Sequence, residues 1–228
     1  MTTLYIVATP IGNLEDITHR ALRVFREVGT ILCEDTRTTG KLLAHYGVET
    51  PTLSYHARSG EMKIEKIIAL LEEGTDLALV TDAGTPGISD PGSFLVARVR
   101  EYFAAAGGVS IVAVPGPSAL TAALSIAGVS DSAFLFLGFL PHKKGRETLF
   151  AEIAESERTV VFYESPHRIE KALISLGEHL DSGRRVVIVR EITKVFEEVL
   201  EGTPTELVAV LAEYPEKRRG EFVVIVRA

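Results

Sequence analysis

Cysteine is almost absent from this chain: Cys33 is the single one among 228 residues. One thiol can neither close an intrachain disulfide nor supply a Cys-rich zinc module, which points to a reducing, cytoplasmic compartment. A secretory leader is not in view either. Met1-Thr2-Thr3-Leu4 has no basic opening, and the apolar stretch Leu4–Ala8 is too short for a signal-peptide core. One uncharged segment, Tyr102–Ser130, is interrupted by Pro115-Gly116-Pro117. The pieces on either side fall well below the roughly 20 residues of a spanning helix, so no membrane association is expected.

An excess of one charge is also lacking. The 24 Lys and Arg against 31 Asp and Glu give a net charge of −7. Up to Pro117 there are 10 basic and 14 acidic residues, and beyond it 14 and 17. Neither half is a basic arm or an acidic tail, so overall electrostatics does not advertise nucleic acid. At 46% hydrophobic, with Gly and Pro spread along it, the chain has a globular composition. Its length suits one large domain or two small ones.

Common signatures are missing as well. No G-x-G-x-x-G follows a strand, and neither G-x-x-x-x-G-K-[ST] nor G-x-S-x-G occurs. His19, His45, His56, His142, His167 and His179 show no metal-ligand spacing, so no metal is expected.

What is present is alternation. Leu4–Ala8, Thr30–Cys33, Thr52–Tyr55, Asp76–Thr81 and Val109–Val114 read as strands. Thr18–Val28, Thr38–Tyr46, Gly60–Glu73 and Gly92–Ala106 between them read as helices. The third helix places Ile64, Ile67, Ile68 and Leu71 on one face and stops at Gly74. Such alternation predicts a parallel sheet with helices on its faces. After Pro117 the rhythm changes. Helices are expected at Ser118–Ala127, Gly145–Ser156, Pro166–Leu180 and Thr205–Ala212. Strands are expected at Ala133–Leu140, Arg158–Tyr163, Arg185–Arg190, Val195–Gly202 and Glu221–Arg227. Two consecutive strands near Val195 predict an antiparallel member and hence a mixed sheet. The chain therefore divides into two α/β domains, residues 1–117 and 118–228.

Three Gly- and Pro-rich loops follow predicted parallel strands: Thr9–Thr18, Asp82–Gly92 and Pro115–Ala119. In an open parallel sheet they emerge at the carboxyl edge, where ligands bind. Any one of them could simply turn the chain. Three on one edge predict a pocket whose backbone groups meet a ligand directly.

The segments Ala8–Thr18, Thr81–Gly92, Pro115–Leu120, Tyr163–Arg168, Arg190–Lys194 and Arg219–Val223 resemble the class III, tetrapyrrole-methylase-type S-adenosylmethionine methyltransferases. The wording is nearest to the RNA-acting branch, marked by T-P-I-G-N-L, D-A-G-T-P-x-I-x-D-P-G, P-G-P, F-L-P with a basic run, and Y-E-S-x-H-R. The resemblance runs nearly end to end. It implies two α/β domains, an N-terminal mostly parallel sheet and a C-terminal mixed one, with S-adenosylmethionine in the interdomain cleft. It also implies a homodimer and methylation of a cytidine ribose 2′-hydroxyl in the decoding region of 16S rRNA in the small ribosomal subunit. Carried over by position, Pro10 borders the cofactor, and Asp82, Ala83, Gly84, Thr85 and Ile88 hold its methionine and ribose parts. Ser118, Ala119, Tyr163 and Ile192 complete the set. The porphyrin-acting branch usually has G-D-P where this chain has Gly84-Thr85-Pro86, and its G-x-G-P-G-D opening is missing. Both departures count against a tetrapyrrole substrate. Arg219 stands where the RNA-acting branch more often has Lys, and the positive charge is kept.

Local basic groups complete the reading. Lys143, Lys144 and Arg146 lie between a strand and a helix, where charge and helix N-terminal amides together suit phosphate. Arg168 adds another positive point, and ordinary solvated surface is the alternative for all four. In Glu34-Asp35-Thr36-Arg37, Asp35 or Thr36 suits a helix N-cap, while Arg37 suits a phosphate and Glu34 or Asp35 a ribose hydroxyl. Lys194 is the candidate for the chemistry. It would take the proton of the ribose hydroxyl if burial lowers its pKa, or stabilise the developing alkoxide while charged. Glu191 would orient it and Arg37 would place the RNA. A plain Lys194–Glu191 surface pair is the other possibility. Two rival functions stay open: a tetrapyrrole-precursor methylase, and a silent nucleotide- or RNA-binding module.

Overall fold

Successive side chains of a strand point to opposite faces of its sheet, and the core of the first half is sorted on that rule. In the computed structural model, which describes residues 1–56, 59–105, 107–129 and 133–228, five strands form the first sheet. They are β1 (Thr2–Val7), β2 (Thr30–Cys33), β3 (Thr52–Ser54), β4 (Leu77–Leu79) and β5 (Val109–Val114). The order is β3-β2-β4-β1-β5 and every pairing is parallel. Leu4, Leu32, Leu77 and Leu79 pack with α3 (Glu61–Glu72) and α4 (Gly92–Phe103). Val7, Ile31, Cys33, Ala78 and Val80 pack with α1 (His19–Glu27) and α2 (Thr36–His45). The chain runs outward through β2 to β3 and then reverses toward β4 and β5. Right-handed crossovers therefore put α1 and α2 on one face and α3 and α4 on the other.

The helix stripe on α3 is buried as its spacing predicts, with Ile64, Ile67, Ile68 and Leu71 all inside. Each contributes about 1.5–3 kcal/mol of apolar burial. Thr18 caps α1 by accepting from the Ala21 N–H. Asp35 caps α2 by accepting from the Arg37 N–H, so α2 begins at Thr36, ahead of the expected Thr38. β4 is shorter than the expected Asp76–Thr81, and just ahead of it the Asp76 carboxylate accepts from the Thr3 N–H at 2.6 Å. The expected end of the fourth helix, Ala106, lies outside the described residues.

The second sheet contains β6 (Phe134–Phe139), β7 (Thr159–Glu164), β8 (Val186–Arg190), β9 (Glu198–Gly202) and β10 (Phe222–Val226). Its order is β6-β7-β10-β8-β9. β6 and β7 are parallel, while β10 runs antiparallel to β7 and β8, and β9 antiparallel to β8. The sheet is mixed, as expected. One face carries α6 (Arg146–Glu155), α7 (Ile169–His179) and α8 (Pro204–Glu213), and the other carries α5 (Ala119–Ile126). A reciprocal Thr203–Glu206 capping box starts α8.

Two expectations shorten here. β9 starts at Glu198, not Val195, because Glu191–Glu197 is a pair of turns closed by Lys194 N–H to Glu191 O and Glu197 N–H to Lys194 O. The helix expected from Pro166 starts at Ile169, because Ser165–Arg168 is a turn. The chain separates into two compact units, Met1–Ser118 and Ala119–Ala228. Among the described residues, no helix is long and apolar enough to cross a membrane.

Candidate active site

β1 and β4 are neighbours in the first unit, yet the helices that follow them lie on opposite faces of the sheet. Their loops diverge at the carboxyl edge, and such a topological switch point is where open α/β sheets bind ligands. The two loops are nevertheless tied together at their roots. Thr9 donates to Gly84 O at 2.9 Å and Gly84 donates back to Thr9 O at 3.0 Å. The buried Thr9 hydroxyl donates to Thr81 O at 3.1 Å. Gly84 sits at φ +86°, where a side chain is strained, and an added Cβ would lie 3.4 Å from Ile11. Thr85 Oγ1 donates to Pro117 O at 3.1 Å, joining the third loop to the second.

Asp90 winds the rest of this loop. Its carboxylate accepts from the Gly87 N–H at 2.8 and 2.9 Å and from the Gly92 N–H at 2.7 Å. Pro10 is buried, Thr85 is half-buried, and Asp82, Ala83 and Ile88 are exposed on the edge. Asp82 accepts from the Asp35 N–H at 3.2 Å, which brings the loop after β2 beside the loop after β4. Burial, and then the charges of Asp82 and Asp90, push the Glu34 carboxyl above the usual carboxylate range. The edge is thus a region of negative potential. Arg37 is 86% exposed at its side chain and grips Asp35, with Nη2 to Oδ2 at 2.7 Å. The hydrogen bonds from Arg37 hold the Asp35 carboxyl down at about 2. Capping by Asp35 is therefore realised, and Arg37 is paired within its own turn.

In the second unit, the Tyr163 hydroxyl accepts from the Leu120 N–H at 3.1 Å beside the rings of Phe136 and Phe139. Burial raises the Tyr163 pKa, so the phenol stays neutral. Ala119 and Ile192 pack partly buried against the same layer. Ser118, half-buried, ends the first unit.

Lys194 lies between two carboxylates, with Nζ 2.9 Å from Glu191 Oε1 and 2.9 Å from Glu221 Oε2. Glu191 Oε1 also accepts from the Glu221 N–H at 3.1 Å. Burial opposes the ammonium charge, but the hydrogen bonds to Glu191 and Glu221 together outweigh it and raise the Lys194 pKa. The net direction is opposite to the one a lysine base would need. Burial likewise opposes the Glu191 charge, and its bonds from Lys194 and Glu221 outweigh it, so its pKa falls. Glu191 and Thr193 hold φ at +50° and +67°, and Gly220 holds φ at +100°. A Cβ on Gly220 would fall on the Glu191 side chain. This strained turn aims Glu191 and Lys194 at the start of β10.

The four basic residues expected at the surface divide in two. Lys143 and Lys144 are exposed. Arg146 and Arg168 instead turn inward onto Glu164, their side chains 11% and 16% exposed against a fully buried carboxylate. Sequence reasoning misses Thr9, Asp90, Gly220 and Glu221. A Thr-Pro pair at a strand end and an Asp-Pro-Gly run were the available signals for the first two. Folding also gathers Glu147, Glu178 and His179, whose ligand atoms lie within 4.8 Å of one another at the surface. Residues from two helices make that group, so spacing along the chain does not reveal it.

The description "Tetrapyrrole (Corrin/Porphyrin) Methylases" matches residues 3–208. The chain is 48% identical over 226 residues to "Ribosomal RNA small subunit methyltransferase I" of Xylella fastidiosa (strain Temecula1), covering 99% of this chain and 81% of that one. To the protein of the same name from Vibrio cholerae it is 47% identical over 225 residues, covering 98% and 76%. Among solved structures, the methyltransferase CobJ superposes with a TM-score of 0.70 at 19% identity, covering 100% of this chain and 94% of that one. Uroporphyrin-III-C-methyltransferase from Thermus thermophilus gives 0.67 at 20% identity, covering 100% and 94%. At such identities the two structures speak for the fold alone, but the family match and the near full-length relatives go further: the chain belongs to the tetrapyrrole (corrin/porphyrin) methylase family.

Proposed function

We propose that the chain transfers a methyl group from S-adenosylmethionine to the ribose 2′-oxygen of a cytidine in the decoding region of 16S rRNA, acting on the small ribosomal subunit. The observation that carries this reading is the 48% identity, over 99% of the chain, to a protein named for small-subunit ribosomal RNA methylation. Gly84-Thr85-Pro86 in place of G-D-P, and the missing G-x-G-P-G-D opening, support an acceptor other than a tetrapyrrole.

The residues present suit the cofactor. Its sulfonium and amino groups are cationic, and the edge gathers the carboxylates of Glu34, Asp82 and Asp90, where burial first and then the charges of Asp82 and Asp90 raise the Glu34 pKa. Ala83, exposed on the edge, puts no bulky side chain in a ligand's way, and the Gly84 backbone, tied to Thr9, fixes the loop beneath it. The remaining contacts proposed for it are Pro10, Asp82, Thr85, Ile88, Ser118, Ala119, Tyr163 and Ile192. The cofactor supplies an electrophilic methyl group. The chain must then hold the acceptor oxygen in line and manage its proton and charge. An ammonium whose pKa is raised suits the second role that sequence allowed Lys194, stabilising negative charge on the ribose oxygen. Glu191 orients it, and Arg37 with Lys143 and Lys144 meets the RNA backbone.

The test uses labelled cofactor with either small ribosomal subunits or a porphyrinoid precursor. Label on a cytidine 2′-oxygen of the RNA is the expected result. Label in the pigment, or in neither, overturns the reading. We further propose a cytoplasmic homodimer, and a monomer mass by light scattering at micromolar concentration overturns the assembly.

A further inference from the structure

Glu164 ends β7 with its carboxylate fully buried and both oxygens engaged. Arg146 Nη2 donates to Oε2 at 2.9 Å. Arg168 Nε lies 2.8 Å from Oε1, which also accepts from the Ser165 N–H at 2.8 Å. Each arginine uses a second nitrogen on the backbone at the exit of β6. Arg168 Nη1 donates to Leu140 O at 2.9 Å, and Arg146 Nη1 donates to Pro141 O at 3.1 Å. Two consecutive carbonyls thus hang from one buried carboxylate. Beyond them His142, Lys143 and Lys144 are exposed, and Gly145, at φ +82°, returns the chain into α6.

Buried charges are a poor means of stabilising a domain, since apolar groups of the same volume commonly do as well. Here their bonds do something apolar groups cannot: they fix where a basic surface loop begins and where it ends. A loop ordered in advance loses less conformational freedom when it docks. We infer that Glu164 is a positioning residue for RNA docking, which acts through Arg146 and Arg168 to present Lys143 and Lys144 as a pre-ordered pair to phosphate oxygens. The inference rests on the RNA substrate proposed above.

Glu164→Gln removes the carboxylate charge and keeps its shape. Single-turnover methylation of small subunits should then need at least tenfold more subunit for half-saturation, while calorimetry finds S-adenosylmethionine affinity within twofold of the parent. A purely structural defect would lower both. The loss caused by Lys143→Ala with Lys144→Ala should be at least threefold smaller in the Glu164→Gln background than in the parent. Should Glu164→Gln not fold, Arg146→Lys with Arg168→Lys decides. That pair keeps both charges opposite Glu164 and cannot also reach both carbonyls, so it should show the same tenfold rise. A folded variant of either kind with the parental subunit requirement overturns the inference, as does an equal cost of the lysine substitutions in both backgrounds. A parent that leaves small subunits unmethylated overturns the substrate reading and this inference with it. A parent that methylates them while the variants dock equally well overturns this inference alone.

Discussion

Thr9 and Gly84 exchange both backbone hydrogen bonds, at 2.9 and 3.0 Å, although they lie on loops that leave neighbouring strands toward opposite faces of the sheet. Without this bridge the two loops would part at their roots, since α1 and α4 draw them apart. With it, the divergence begins one residue further out, at Pro10 and Thr85. The Thr9 hydroxyl adds a third tie by donating to Thr81 O.

Cofactor binding should depend on this tie. Thr9→Val keeps the shape and removes the hydrogen bond to Thr81 O, a net loss of about 1 kcal/mol. Calorimetry should show S-adenosylmethionine affinity falling about fivefold. Gly84→Val should abolish measurable binding, because valine is strained at φ +86° and would meet Ile11. Asp82→Ala should weaken binding between these extremes. Parental affinity in all three variants would put the cofactor elsewhere.

The loop after β2 offers a pH signature. Arg37 holds the Asp35 carboxyl at about 2, below its value of about 3.9 in an unfolded chain. A carboxyl lowered on folding stabilises the fold above the unfolded value, and that contribution is lost as the pH falls from about 4 through about 2. Arg37→Ala should return the Asp35 titration toward about 4 in an NMR pH series. A titration that stays near its parental midpoint would mean that the Arg37 and Thr38 backbone N–H groups, not the guanidinium, hold the carboxylate.

The sequence was most legible where burial follows a simple period. The Ile64, Ile67, Ile68, Leu71 stripe and the leucines of β1, β2 and β4 declare their faces without any knowledge of the fold. The mixed second sheet was legible too, because two consecutive strands near Val195 leave no room for a crossover helix. Charged residues were not. Arg146 and Arg168 read as surface groups until Glu164, 18 and 4 positions away, is folded between them. The strain at Glu191 and Thr193 left no mark in the sequence either. Neither is a residue type that favours positive φ, and the turn is held by distant partners, Gly220 and Glu221.

The exposed lysines should set the salt dependence of docking. Each phosphate neutralised contributes about 0.7–0.9 to the log–log salt slope. Lys143→Ala with Lys144→Ala should therefore flatten the slope for small subunits by about 1.4–1.8, if each lysine meets one phosphate. Titrations at several salt concentrations read this directly, and an unchanged slope returns the pair to ordinary surface.

Gly220 should prove intolerant of any side chain. Alanine there meets both a backbone strained at φ +100° and the Glu191 carboxylate. The strain alone costs of order 1–3 kcal/mol. Gly220→Ala should lower the Tm and, by displacing Glu191, slow single-turnover methylation. A variant with parental Tm and parental rate would show that Glu191 moves aside at no cost.

Lys194→Met tests the chemistry itself. The ammonium is fixed by Glu191 and Glu221, and because their bonds outweigh burial its pKa is raised. A lysine raised on folding stabilises the fold below its unfolded value of about 10.4, and that contribution is lost as the pH climbs through the folded pKa. Around neutrality Lys194 is therefore a fixed cation. A cation beside the acceptor helps in proportion to the negative charge that builds on the oxygen. Removing one donor from an oxyanion site costs roughly a hundredfold or more in rate. Two carboxylates share this charge, so the expected loss is smaller, at least about tenfold in single-turnover methylation, with cofactor and subunit saturating. The parental pH–rate profile should show no limb belonging to Lys194 between about pH 6 and 9, since its raised pKa places that titration above the ordinary lysine value. A parental rate for Lys194→Met removes the residue from the chemistry and leaves it as a tie between the Glu191 turn and β10. A limb in that window that vanishes in the variant would instead make Lys194 a base, against the direction in which its two partners push it.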